Sequence, residues 1–423
     1  MSMKRSDNQV EGDDGLPHLV SESSDAELRR LAKAEFASVA YSQVESAGPA
    51  ASPLGFPAPR VIRSKIVPGL CWKRSSGHWS KGNVLLHYTS EDEFEYLDVG
   101  YMFTPLTLRQ TLCGEIIKGI KVKKIDSTSV KCEHNDVLES IMGENVDNLW
   151  ETTDELVVIK VDRRQSMKRL HDTQSTVTNP ENPWKEVAAL QLLGNTHPNV
   201  INLLGAFIDD NCLYEVMPYC SGDSLSTFIR SHPNGISETR ARRIFVQLLL
   251  GLHHIHSHGV CHHDISLSNI MFDEDRSHCI IIDFGMSLRT TDDVTDESMG
   301  TIRRLIHSNK HCGKLRFMAP EIYQKKYAFD GLAADIWSAG IVLFTMITGK
   351  HPYEKPDANI DPGYYDLIDG GFYWDTRKVD PLLSWGNKVS CEIVDLLKNM
   401  LNPNPRERAT LSQILNHGWV NAG

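Results

Sequence analysis

Apolar positions recur along this chain in two rhythms, and one gives way to the other just beyond Gly222. Upstream, Leu156-Val157-Val158-Ile159-Lys160-Val161 is a β-branched run behind a polar turn at Thr152–Glu155, which predicts a strand. Shorter apolar runs predict further strands near 203–208 and 213–217. Between them, Trp184 to Leu193 places Val187, Leu190 and Leu193 on one helical face, and His197-Pro198-Asn199 stops that helix. Downstream, helical spacing takes over near 238–257, 331–349 and 390–401. A small sheet-rich unit followed by a larger helical one predicts an α+β chain of two lobes.

The first part of the sequence lacks both rhythms. Residues 1–60 are polar and end in a linker-like stretch from Gly48 to Pro59. Within them Ser24-Asp25-Ala26-Glu27 has the form of a capping box, and Leu28, Leu31, Ala32, Phe36 and Val39 follow at helical spacing. The tail then holds either a short helix that docks an unknown protein or a transient helix. Residues 61–132 carry Trp72, Trp79 and aromatics from Phe94 to Phe103, which predicts an ordered extension, with strands packed on the main domain. No motif gives it a role.

Composition narrows the function. At 423 residues the chain has room for two or three domains, and 41% apolar with 23% charged residues is ordinary for a soluble protein. The formal net charge of -11 argues against a general nucleic-acid binder. Nine cysteines are scattered without a C-x-x-C pair, so a reducing, cytoplasmic location is expected, the nucleus remaining open. No signal-peptide core, lipidation motif or apolar run near 18 residues is visible, and no membrane attachment is expected.

The candidate chemistry lies in His262-His263-Asp264-Ile265-Ser266-Leu267-Ser268-Asn269 and in Asp283-Phe284-Gly285. Ala319-Pro320-Glu321, Asp335-Ile336-Trp337-Ser338-Ala339-Gly340 and Arg408 follow in order. This series resembles the eukaryotic protein kinases, in particular Ser/Thr kinases of the calcium/calmodulin-dependent type, with a catalytic loop, a metal-binding triplet and a closing A-P-E. The resemblance runs from about 133 to Val420 and implies a kinase domain over 133–420, with a β-rich small lobe and a helical large lobe.

The resemblance also implies roles. Lys160 stands at the end of a V-A-I-K-like strand and would bind the ATP phosphates, held by Glu186. Asp264 would take or orient the hydroxyl proton of a protein substrate, and Asn269 and Asp283 would hold Mg²⁺. Met217 takes the gatekeeper position, Pro218, Tyr219 and Cys220 form the hinge, and Val158 and Met271 would sandwich the adenine. Leu190, Leu203, His262 and Phe284 would stack as a spine. In the family Glu321 pairs with Arg408, and Asp335 braces the catalytic loop. The cluster His253, His254, His256, His258, His262 and His263 spans a helix end and this loop, a segment the family shares, and lacks a coherent ligand face.

Several positions depart from the family. Only Gly143 survives of a glycine-rich loop over 138–143, although Gly114 and Gly119 offer a second placement. His263 replaces an arginine that pairs with activation-loop phosphate, so control through Thr290, Thr291, Thr295, Ser298 or Thr301 is not expected. Ser266 replaces a lysine that reaches the transferring phosphate, while Lys314 stands where a threonine is usual. Those two side chains look exchanged across one contact, which adds Lys314 to the candidate catalytic residues. Ser268 stands where relatives that prefer basic peptides often carry glutamate, so no such preference is supported. The expected activity is transfer from ATP-Mg²⁺ to Ser or Thr of proteins; Gly313–Met318 faintly resembles tyrosine kinases. The rival is a pseudokinase scaffold, favoured by the degenerate glycine loop. A small-molecule kinase is disfavoured by the Ala319-Pro320-Glu321 segment.

Overall fold

The computed structural model describes residues 56–57, 59–73, 79–88, 96–125, 150–173, 182–290, 305–307, 313–324, 328–369 and 389–422. The tail helix expected over 24–39 lies outside them.

Seven strands form the small lobe: β1 Ile62–Lys73, β2 Trp79–Tyr88, β3 Tyr96–Gln110, β4 Gly114–Lys124, β5 Trp150–Arg163, β6 Gly205–Ile208 and β7 Cys212–Pro218. Their order, β1-β2-β3-β4-β5-β7-β6, closes into a barrel because β1 pairs in parallel with β6 at Ile62↔Phe207 and Arg63↔Ile208. Strands β1 to β4, set apart from sequence as an extension, therefore share one sheet with the Lys160 strand. The boundary expected at 132/133 cuts the connection between two paired strands, β4 and β5. Closure removes the exposed edges that an open sheet would present.

Alternation along β5 sends Val157 and Ile159 to one side, where they pack with Leu85, Tyr101, Phe207, Tyr214 and Val216. Val158, Lys160 and Asp162 therefore take the other side. Directly across on β7 stand Met217, Glu215 and Leu213. That second face carries the chemistry.

The Pro183–Leu193 helix starts where sequence chemistry says it should. Asn182 caps it by accepting from Trp184 N, Pro183 occupies the first turn, and Gly194 at φ 69° ends it. Glu186 falls in its first turn, favoured by the helix dipole.

The large lobe is built on two long helices, Glu238–Ser257 and Gly331–Thr348. The second is long and apolar enough to cross a bilayer by length and composition. Its apolar side chains are spent on the core instead: Trp337, Val342, Phe344 and Met346 are fully buried. Glu321 and Arg408 join the lobe's distant segments through two hydrogen bonds of 2.7 and 2.9 Å, and Arg408 also donates to Ala333 O at 2.7 Å. Both side chains are buried, and this fork geometry suits a guanidinium facing a carboxylate.

Candidate active site

Strand pairing assembles the first half of the site. Lys160 Nζ lies 2.5 Å from Glu186 Oε2, and both are buried. The other oxygen of Glu186 accepts from Phe284 N at 3.3 Å, and Asn182 N donates to Gly285 O at 3.2 Å. The helix is thereby tied at one end to the strand lysine and to the Asp283-Phe284-Gly285 triplet. Leu190, Leu203, His262 and Phe284 are all buried, and the rings of His262 and Phe284 meet tilted at 55°, their centroids 4.8 Å apart.

Two carboxylates beside Lys160 escaped the sequence reading. Glu215 lies opposite Lys160 across the β5–β7 ladder, fully buried, with no hydrogen-bond partner on either oxygen. Asp162, two residues along β5, is buried as well. Burial disfavours the Lys160 charge, but Glu186, Glu215 and Asp162 outweigh it and hold the ammonium well above its usual range. One ammonium cannot neutralise three buried carboxylates. Burial, reinforced by Glu186, pushes Glu215 far up, so Glu215 is the acid that keeps its proton. The sequence signal was a lone glutamate inside the apolar run Leu213–Met217.

The second half lies in the loop after Val260-Cys261. Asp335 receives His262 N and His263 N, each at 2.8 Å, and His256 Nε2 at 2.9 Å. Burial opposes its charge, but the His256 contact, the nearby His262 and the His263 N–H hold its carboxyl below the usual range. His263 takes φ 66° in this turn, and burial lowers its pKa, so it brings no standing positive charge. His254 and His258 go to separate backbone partners: His254 Nε2 lies 3.0 Å from Leu193 O and His258 Nδ1 2.8 Å from His254 O. Thr290, one of the five candidate phosphorylation sites, is buried with its hydroxyl on Gly259 O; the other four lie outside the described residues.

Asp264, Ser266, Asn269 and Lys314 converge. Lys314 Nζ lies 2.6 Å from Asp264 Oδ2, 3.0 Å from Ser266 Oγ and 3.3 Å from Asn269 Oδ1. Its backbone N–H reaches Asp264 Oδ1 at 3.1 Å. Asn269 donates its amide to Asp264 O and Oδ2 at 2.9 and 2.7 Å, which turns its oxygen outward from that pair. Asp283 adopts φ 69°, and its carboxylate makes no hydrogen bond or ion pair among the described residues. An amide oxygen and an uncommitted carboxylate are hard donors that fit Mg²⁺.

At the hinge, Val158 faces Met217, and Tyr219 N donates to Leu156 O at 3.1 Å. Met271 bridges to Ser224 from the large lobe, and burial lifts the Cys220 thiol to about 11. Lys118 lies over the Tyr219 ring at 4.2 Å.

Gly143 lies outside the described residues, but its connection is bounded. It joins Lys124 to Trp150, which pair with each other ten residues from Lys160, roughly 33 Å of extended strand. The β3–β4 hairpin ends instead at Thr111–Gly114, with Gly114 opposite Asp162. Of the two placements read from sequence, strand pairing brings the one at Gly114 beside the Lys160 strand end. A Cβ on Gly114 would stand 1.8 Å from Val161 O, so glycine there serves the backbone crossing.

A family profile described as protein kinase domain matches residues 145–420. The chain belongs to the protein kinase family. Its kinase domain resembles those of the calcium/calmodulin-dependent type and is similar to CBL-interacting protein kinase 25 of Oryza sativa subsp. japonica, 30% identical over 64% of this chain and 47% of that protein. CBL-interacting serine/threonine-protein kinase 17 of Arabidopsis thaliana is 29% identical over 72% and 61%. Serine/threonine-protein kinase PLK4 of Nematostella vectensis is 31% identical over 53% and 20%. This kinase chain spans between a fifth and about three-fifths of the length of these relatives.

Proposed function

We propose that this kinase is catalytically active and transfers the γ-phosphoryl group of ATP to Ser or Thr hydroxyls of proteins. The observation that carries the reading is the convergence of Lys314 on Asp264, Ser266 and Asn269, beside an intact Lys160–Glu186 pair. Asp264 accepts the hydroxyl proton as the oxygen attacks phosphorus, and the bond to the departing ADP oxygen breaks. Lys314 supplies positive charge where Ser266 has none. Lys160 holds the nucleotide phosphates, with Val158, Met217, Tyr219, Cys220 and Met271 around the base and the β3–β4 hairpin above. Mg²⁺, held by Asn269 and Asp283, would screen the phosphate charge.

A scaffold reading is favoured by one feature: the hairpin end, Thr111-Leu112-Cys113-Gly114, has a single glycine, which limits backbone approach to phosphate. Labelled ATP, Mg²⁺ and a protein or peptide acceptor separate the two. The expected outcome is transfer that falls by about 10² or more in Asp264→Asn while ATP affinity is kept. Near-normal turnover in that variant removes Asp264 from the mechanism. A wild type that neither transfers nor binds ATP more tightly with Mg²⁺ favours the scaffold.

The free thiols of Cys212, Cys220, Cys279 and Cys391 support the proposal of a cytoplasmic location. Docking of a partner by the N-terminal tail is likewise a proposal, as is the absence of nucleic-acid and membrane partners.

A further inference from the structure

A groove of about 460 Å³ opens beside the cluster that holds Asp264. Lys314 lines it and at the same time contacts Asp264, so the groove begins at the residue that would receive the acceptor hydroxyl. Leu267, Leu315 and Phe317 give it apolar surface, and Ser226 and Ser268 add hydroxyls without charge.

Its charge runs against that of the whole chain. Lys314, Arg316 and Lys355 bring three cations, Lys314 being already paired with Asp264, and Glu354 is the one carboxylate among the lining side chains. His351 adds little positive charge near neutral pH, because burial and the nearby Arg316 lower its pKa to about 4. The Arg316–Glu354 contact runs through Nε at 2.7 Å, leaving two terminal amino groups for an incoming carboxylate. Lys355 is exposed and makes no ion pair among the described residues. In a molecule of net charge -11, this is a local positive field at the mouth of the site.

We infer that the groove selects protein segments that carry Asp or Glu within about three extended residues of the acceptor hydroxyl. The inference rests on the kinase reading for what the acceptor is, but the groove's charge preference is measurable without catalysis. An acidic side chain placed there meets Lys355 and the free edge of Arg316, while a basic one meets like charge. Glu354 is already engaged by Arg316, so it does not reverse the sign.

The test uses the full chain and fluorescent peptides that differ only in residues flanking one Ser: Ala, Asp or Lys. Binding is read by anisotropy with a non-hydrolysable ATP analogue, and transfer is read in parallel with Mg²⁺-ATP. Asp peptides should bind about three- to fivefold tighter than Ala peptides, the range of an exposed ion pair. Lys peptides should bind more weakly, and salt should erase the difference. Lys355→Glu, an exposed substitution, should reverse the order of Asp and Lys peptides without altering the Ala peptide. Equal binding of all three, a preference for Lys, or an Asp preference unchanged in both Lys355→Glu and Arg316→Glu would overturn the inference. Acid-selective binding without transfer to any peptide would support the groove and count against the kinase reading alone.

Discussion

At the scale of single residues, the site is defined by where charge is and is not balanced. Glu215 is the clearest case, a buried carboxyl raised by desolvation and by the neighbouring Glu186. A carboxyl raised in the folded state holds a proton that the unfolded chain releases once pH exceeds its ordinary range. The folded state then binds more protons, so stability is greatest below that range and is lost as pH rises from there toward the folded pKa. Glu215→Gln keeps the shape and removes the titration. It should raise the thermal midpoint near neutral pH and flatten the fall in stability above pH ~4.5. Unfolding scans of both proteins across pH check this; an unchanged slope would mean that Glu215 is not the titrating acid. Little in the sequence marked this residue. Alternation along one strand shows which residues share a face, but not which residue of another strand stands opposite. Lys160, Asp264, Asn269 and Asp283 were legible because the short motifs that carry them resemble those of the protein kinases.

At the scale of elements, legibility followed the regularity of the pattern. The Pro183–Leu193 helix could be read from its apolar face and its stop. Strands β1 and β3 could not be placed, since Pro68 and Pro105 interrupt them and their registers shift at Val67/Leu70 and Phe103/Thr107. Gly143 was chosen by distance along the chain to Lys160, whereas strand pairing brings Thr111–Gly114 to the lysine end of β5. The link between Glu321 and Arg408 was implied by resemblance, and its energetic weight comes from its full burial. Removing one partner leaves the other charge without compensation. Arg408→Leu should therefore destabilise the large lobe by about 3–5 kcal/mol, read by urea unfolding. A loss below about 1 kcal/mol, typical of exposed pairs, would show that water reaches the site.

At the scale of the whole molecule, the barrel makes strands β1 to β4 part of the lobe that holds Lys160. Deleting β1 and β2 would remove Val84, Leu85 and Leu86, expose the buried Tyr101, Met102 and Phe207 that pack against them, and reopen two sheet edges. A chain beginning at residue 96 is expected to aggregate or to lose ATP binding, whereas a separable extension would leave both intact. Solubility and nucleotide affinity of that truncation decide between them.

The account as a whole depends on Lys314 having taken over the charge that Ser266 gave up. Its most direct test is a double-mutant cycle of phosphoryl transfer over the wild type, Lys314→Thr, Ser266→Lys and the double variant, with ATP affinity measured in parallel. Lys314→Thr should slow turnover about 10²-fold, in keeping with roughly 2.7–4 kcal/mol for one charge-stabilising group, and change ATP affinity little. Ser266→Lys should also slow it, by crowding two ammonium groups beside Asp264. The double variant should recover part of the loss, so that the cycle shows favourable coupling. Strict additivity of the two losses, or full activity in Lys314→Thr, would contradict the exchange and leave Ser266 as a plain loss of charge.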